Sequence, residues 1–262
     1  MKKLISNSLI IMLIALLLIG CSSQEATQET FETPKDENLE GHSLMIFCGA
    51  GMKDPFEKIA KQFKEETGCE VQVTYANAGQ IQTQINTVQE GDFFIAGSKE
   101  EVKPIESLVS SSKDLVQHIP VLAVAKGNLM GITGPADLAN GGVKFIMGDP
   151  EATPIGKIAN KVMSDFQITD KVNIVANTST APAMIIALEA EEADAAIVWK
   201  ENVKSEKLEI VESPDMDKYI KTIPAALLSC KTDEEAQTAF NDYLDTQEVK
   251  DIWIEYGYEI IE

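Results

Sequence analysis

The strongest constraint on the fold is a repeated alternation of short apolar runs with amphipathic stretches, punctuated by glycine, asparagine and proline. Leu44-Met45-Ile46-Phe47 reads as a strand. After Gly49-Ala50-Gly51, Asp54 is placed to cap a helix and Pro55 to occupy its first position. Phe56, Ile59, Ala60 and Phe63 then share one face, and Gly68 ends the helix. Residues 70–75 form the next strand. Ala76-Asn77-Ala78-Gly79 leads into a helix with Ile81, Ile85 and Val88 on one side, and 92–95 is a third strand. Further strands are expected at 121–125, 143–147, 173–175, 195–199 and 223–228. Helices are expected from Pro154, near 181–191, and along the tail 233–256. Such β-α repetition predicts an α/β fold with mainly parallel sheets and right-handed crossovers.

The first residues are of a different kind. Lys2 and Lys3 precede an apolar run from Leu9 to Ile19, which stops at Gly20-Cys21. A basic start, an apolar centre and a small residue at the end describe a secretory signal peptide. The run is shorter than the roughly 20 apolar residues that span a bilayer. Residues 22–40 are polar, acidic and without period, as in a flexible tether.

Charge excludes some partners. The chain has 262 residues and a net charge of −20, and its 22 basic residues are all lysine. A field of that sign repels nucleic acid and anionic lipid headgroups. Without arginine there is no bidentate guanidinium for a carboxylate or phosphate. A bound anion must be held by backbone N–H groups, hydroxyls or lysine. Apart from Cys21 the cysteines are Cys48, Cys69 and Cys230, so at most one internal disulfide can form. No His/Cys cluster suggests a metal, no cofactor motif is present, and no nucleophile and base are paired for catalysis. His42 and His118 stand alone and read as surface or strand-end residues. Asp149 and Asp194 read as loop braces, Lys53 as an exposed lysine.

Two junctions carry the chemistry that can be read. Residues 47–55 and 75–80 both place small residues just before a helix. Free N–H groups and the helix dipole attract an anion there. In open α/β sheets ligands bind at the carboxyl ends of strands, where these loops lie.

In order, Phe-Cys-Gly-Ala-Gly-Met-Lys-Asp-Pro-Phe-Glu-Lys-Ile-Ala-Lys-Gln-Phe-Lys-Glu-Glu-Thr-Gly (47–68), Val-Thr-Tyr-Ala-Asn-Ala-Gly (73–79), Gly-Asp-Phe-Phe-Ile-Ala-Gly (91–97), Val-Ala-Lys-Gly-Asn (124–128), Gly-Pro-Ala-Asp-Leu-Ala (134–139), Gly-Asp-Pro (148–150), Thr-Pro-Ile-Gly-Lys-Ile-Ala (153–159) and Glu-Glu-Ala-Asp-Ala-Ala-Ile-Val-Trp (191–199) resemble the molybdate/tungstate-type substrate-binding proteins of bacterial ABC importers. The ending Leu18-Ile19-Gly20-Cys21 resembles the lipobox of bacterial lipoproteins. The resemblance implies a two-lobed periplasmic-binding-protein-like fold, two Rossmann-like lobes joined by a two-strand hinge. The limits it implies are 1–20 for the signal peptide, 21–40 for the tether, 41–122 plus 225–262 for lobe one, and 123–224 for lobe two. It further implies a tetrahedral oxyanion in the interlobe cleft, a permease and its ATPase as partners, a monomer, and attachment to the outer face of the cell membrane through lipid on Cys21.

Position by position, the hydroxyl donors of the family are missing here. Its two cleft serines fall on Gly51 and Ala78, and its late tyrosine falls on Trp199. Its backbone contacts fall on Ile155 and Ala181. Asn77, Thr153, Thr180 and Ser179 lie beside these positions as replacement donors. Each lost hydrogen bond to a charged group costs about 1.5–3 kcal/mol. Either the site is rebuilt or the ligand is a different small anion or polar solute. An exported enzyme or sensor lipoprotein on the same scaffold is the remaining alternative.

Overall fold

A computed structural model describes residues 38–261. The signal peptide, Cys21 and most of the tether lie outside the described residues. The tether was expected to reach residue 40. Instead Leu39 is buried in the first core and its N–H donates to the Thr67 carbonyl at 2.7 Å. One apolar side chain among polar neighbours is enough to fix this point.

Along the chain, β1 (Ser43–Gly49) runs through a tight turn at Ala50–Met52 into α1 (Lys53–Thr67). Next come β2 (Glu70–Ala76), α2 (Ala78–Val88), β3 (Phe93–Ile95), the one-turn α3 (Lys99–Val102) and β4 (Val109–His118). The middle of the chain holds β5 (Pro120–Ala125), β6 (Lys144–Gly148), α4 (Pro154–Asp165), β7 (Asn173–Thr178), α5 (Ala181–Glu189), β8 (Ala195–Trp199) and β9 (Leu208–Val211). It ends with β10 (Lys221–Leu228), α6 (Glu234–Tyr243), α7 (Gln247–Glu255) and β11 (Glu259–Ile260).

Two sheets result, in the orders β11-β4-β10-β3-β1-β2 and β7-β6-β8-β5-β9. The expectation of mainly parallel sheets is corrected to mixed ones. β1 pairs in parallel with β2 and β3, as β6 does with β7 and β8. β4, β5, β9, β10 and β11 pair antiparallel. β4 opens as Val-Ser-Ser-Ser-Lys-Asp and is largely exposed there, so no apolar run announces it.

Each sheet has its own core. In the first, Phe240 of α6 meets Phe63 edge-on at 4.9 Å and Phe93 at 5.2 Å, tying α6 to α1 and β3. In the second, Phe145, Ile197 and Leu188 are fully buried. The chain changes sheet at Ile119 and again between β9 and β10. The expected lobe limits therefore fall inside strands. Pro120 already pairs with Trp199 in the second sheet, and Lys221 with His118 in the first.

Local starts and stops follow the sequence closely. Gly68 (φ +78°) closes α1 in the left-handed region, with its N–H on the Lys64 carbonyl. α1 starts at Lys53, before Asp54, because the turn at Ala50–Met52 runs straight into it. Val88 lies 48% exposed, off the buried stripe of Ile81 and Ile85. The tail breaks into two helices at Thr246, whose hydroxyl caps the Val249 N–H. Cys48, Cys69 and Cys230 are all free thiols. No helix among the described residues is long and apolar enough to cross a membrane.

Candidate functional site

Four parallel strands end on the same chemistry. β1 and β2 of the first sheet, and β6 and β7 of the second, each stop at a turn that leads into a helix. These turns line a common cleft of about 570 Å³. Gly51, Asn77, Ala78, Thr153, Ile155, Thr180, Ala181 and Trp199 all line it. The first turn of a helix leaves its N–H groups without intrahelical partners. Side chains fill some of these vacancies. Asn77 Oδ1 accepts from the Gln80 N–H at 3.0 Å, and Thr153 Oγ1 accepts from the Gly156 N–H at 3.0 Å. These caps are made to Gln80 and Gly156, not to the N–H groups of Ala78 and Ile155. At α5 the capping residue Thr180 makes no side-chain cap bond, and the turn before α1 is likewise uncapped.

One expected replacement donor is corrected. Thr153 donates its hydroxyl hydrogen to the Asp149 carbonyl at 2.8 Å, so it has none for a ligand. Asn77 uses Oδ1 as a cap and Nδ2 on Gln80 Oε1 at 2.8 Å. Both shape the cleft by holding helix starts in place. Gly156 completes this packing. A Cβ there would lie 2.3 Å from the Asp149 carbonyl oxygen and 2.4 Å from that of Gly148, so only glycine lets α4 approach the strand end. Asp149 Oδ1 accepts from the N–H groups of Glu151 and Ala152, and Asp194 Oδ2 from that of Lys144, so both act as loop braces. Lys53 is exposed, 5.9 Å from the centre of the Tyr75 ring.

The deep wall was not read from the sequence. It comprises Gly97, Glu101, His118, Glu201 and Asn202 beside Trp199. His118 and Trp199 stack with ring centres 3.5 Å apart and planes 17° apart. His118 Nδ1 lies 3.1 Å from the Gly97 carbonyl oxygen and Nε2 lies 3.2 Å from Glu201 Oε1. Both ring nitrogens thus face acceptor oxygens. The Gly97 N–H donates to Glu101 Oε2 at 2.8 Å. Burial pushes the Glu101 carboxyl above its ordinary value, against the pull of that N–H and of His118. Burial also pushes up the Cys48 thiol, which suits a buried structural residue. The missed signal was a third small-residue loop at a strand end, Ala96-Gly97-Ser98, after the short β3.

A second hollow of about 610 Å³ opens off the cleft and shares Asn77, Ala78, Gly97, Glu101, His118 and Trp199 with it. Its outer part carries Lys157, Lys161, Lys218 and Lys221.

Residues 44–259 match the family model described as bacterial extracellular solute-binding protein. The chain belongs to that family. A Haemophilus influenzae relative, named only as a binding protein, is 33% identical over 222 residues, covering 81% of this chain and 89% of its own. The molybdate-binding protein ModA of Escherichia coli is 25% identical over 230 residues, covering 83% of this chain and 89% of its own. Among solved structures, a substrate-binding domain assigned to a molybdenum ABC transporter of Clostridium difficile superposes with a TM-score of 0.70 at 24% identity. It covers 84% of this chain and 99% of that one. The two-sheet α/β architecture is therefore the two-lobed fold of periplasmic binding proteins.

Proposed function

We propose that this chain is the solute-binding component of an ABC importer, and that its cleft captures a small oxyanion between the helix starts of both lobes. Molybdate and tungstate are the ions it takes in this reading, and no reaction is catalysed. The chain would be held at the outer face of the membrane by lipid on Cys21 and would deliver its load, as a monomer, to a permease and its ATPase.

In a cleft that Asp54, Glu101 and Glu201 also line, the reading is carried by the four strand-to-helix turns at Gly51, Ala78, Ile155 and Ala181, two from each lobe, and by the N–H groups that a helix start leaves for a ligand. They offer an anion hydrogen bonds without a full counter-charge, which suits a chain with no arginine. The ModA relative supports the choice of ion. Cleft size and fixed donors would supply selectivity.

Isothermal titration calorimetry with molybdate, tungstate, sulfate and phosphate tests the reading. Tight one-to-one binding of molybdate and tungstate, with sulfate inert, is the expected result. Heats no larger than dilution for every ion, with phosphorylated and carboxylic acids equally silent, would sink the anion reading. One observation favours a second form of it. The cleft continues into a lysine-bearing hollow of similar size, more room than a four-oxygen ion needs. In this form the oxyanion is the end group of a small organic acid.

A further inference from the structure

We infer that the solute carries two acidic groups, one at the helix starts of the inner cleft and one in the outer hollow, where Lys157 selects for it. The inference rests on the anion reading of the inner cleft and decides between its two forms.

The outer hollow is unusual for this chain. Acidic residues outnumber lysines by 42 to 22 in the sequence, yet four lysines meet here. They come from both lobes: Lys157 and Lys161 from α4, Lys218 from the turn before β10, and Lys221 from β10 itself. Three of them have local partners. Lys161 Nζ lies 3.1 Å from Asp165 Oδ1, Lys218 Nζ lies 3.8 Å from Asp165 Oδ2, and Lys221 Nζ lies 3.1 Å from Glu100 Oε1. Asp165 does not line the hollow. Lys157 forms no ion pair among the described residues, though its charge acts on the Glu101 carboxyl in the same hollow.

Position reinforces charge. Lys157 stands two residues after Ile155 on α4 and lines the hollow, while Ile155 lines the inner cleft. One helix start therefore touches both compartments. The two compartments join through Asn77, Ala78, Gly97, Glu101, His118 and Trp199, so a single short molecule can reach both. The acidic groups of the hollow are placed to admit this. Glu100 is held by Lys221, and Glu101 accepts from the Gly97 N–H. Burial pushes the Glu101 carboxyl up, while the Gly97 N–H, His118 and Lys157 pull it down. Glu151 is exposed at the rim. A single-headed ion such as molybdate would leave Lys157 unused. A phosphorylated short acid, or a dicarboxylate, would engage it.

The test compares the purified protein with its Lys157→Glu variant by calorimetry. The ligands are molybdate, inorganic phosphate, phospholactate and succinate. Lys157→Ala serves as a second variant that adds no charge. Phospholactate or succinate is expected to bind more tightly than phosphate. That affinity should fall about tenfold or more in Lys157→Glu, the range of a lost hydrogen bond between charged groups. Molybdate and phosphate should be bound equally by both proteins. Tight molybdate binding with silent organic acids would overturn the two-headed solute and leave the anion reading standing. Organic-acid binding that neither Lys157 variant weakens would also overturn it. Silence from all four ligands would overturn both.

Discussion

Glu101 places a carboxyl in a cleft that Asp54 and Glu201 also line. Its Oε2 is held by the Gly97 N–H, and burial raises its proton affinity above that of a free side chain. The sign of the consequence is fixed. A raised folded-state value means that ionisation weakens the folded protein as pH climbs through that value. Below the ordinary glutamate range, near pH 4, the unfolded chain is protonated too and the penalty vanishes. Glu101→Gln keeps an acceptor for Gly97 and cannot ionise. It is expected to be more stable than the parent by about 0.5–1 kcal/mol near pH 8, a gain typical of relieving a functional residue. At pH 4 the two should unfold together, and anion affinity at pH 8 should rise. Urea titrations at both pH values would show it; identical midpoints at pH 8 would refute the assignment. Residues of this kind are hard to see in advance. Gly51, Ala78 and Ile155 could be placed because the family resemblance carries its cleft positions onto them, at strand-to-helix turns. Glu101 sits in Lys-Glu-Glu-Val-Lys, which reads as a solvated surface run. Only the three-residue β3 and the turn at Gly97 bring it inward.

Helix starts divide into two kinds, and the difference separates stability from binding. α4 is capped by Thr153, whose hydroxyl accepts from Gly156 and donates to Asp149. α5 begins at Thr180, whose hydroxyl makes no such bond. Thr153→Ala should therefore destabilise the protein by about 1 kcal/mol, the usual value of a cap. Thr180→Ala should leave stability within about 0.5 kcal/mol of the parent. It should instead weaken oxyanion binding several-fold. Unfolding midpoints and calorimetry on the two variants decide the matter. A Thr180→Ala protein as destabilised as Thr153→Ala, with affinity intact, would show that Thr180 is merely structural. At this scale the sequence was informative wherever apolar spacing and punctuation agreed. Asn77 and Gly68 mark the ends of α2 and α1 as expected. It was silent for β4, whose polar residues pair with β10 along an exposed stretch. β9 was also missed, a four-residue strand held only by β5. Strands stabilised by pairing rather than by burial leave no hydrophobic period to read.

The α/β class of the molecule could be read because it depends on local alternation, and its two lobes because the resemblance implied them. The contacts that set one sheet against the other could not, since they join residues far apart in the chain. His118 ends β4 in the first sheet, and Glu201 follows β8 in the second, 83 residues later. Around this pair, Lys200 meets Glu259, and Lys204 lies 5.5 Å from the centre of the Tyr256 ring. A Cβ on Gly257 would come within 3.3 Å of Glu201 Cα, so the last turn packs closely on the same point. Burial, with Glu201 alongside, pushes the Tyr258 phenol up. Because each sheet has its own core, these few contacts carry much of the restraint between lobes. Breaking a buried pair by removing one partner costs about 3–5 kcal/mol, and some of that should appear as freedom between the lobes. Glu201→Ala is therefore expected to broaden the interlobe distance distribution. Pulsed electron resonance between labels at exposed Glu65 and Ile186, in a Cys230→Ser background, would measure it. Phe240→Ala is the control. It should cost a similar about 3–5 kcal/mol through a cavity inside one lobe, with the interlobe distribution unchanged. If both variants leave the distribution as in the parent, the His118–Glu201 contact stabilises the fold without restraining the lobes. If only Glu201→Ala widens it, and ligand narrows it again, the pair restrains the lobe motion by which the cleft opens and closes.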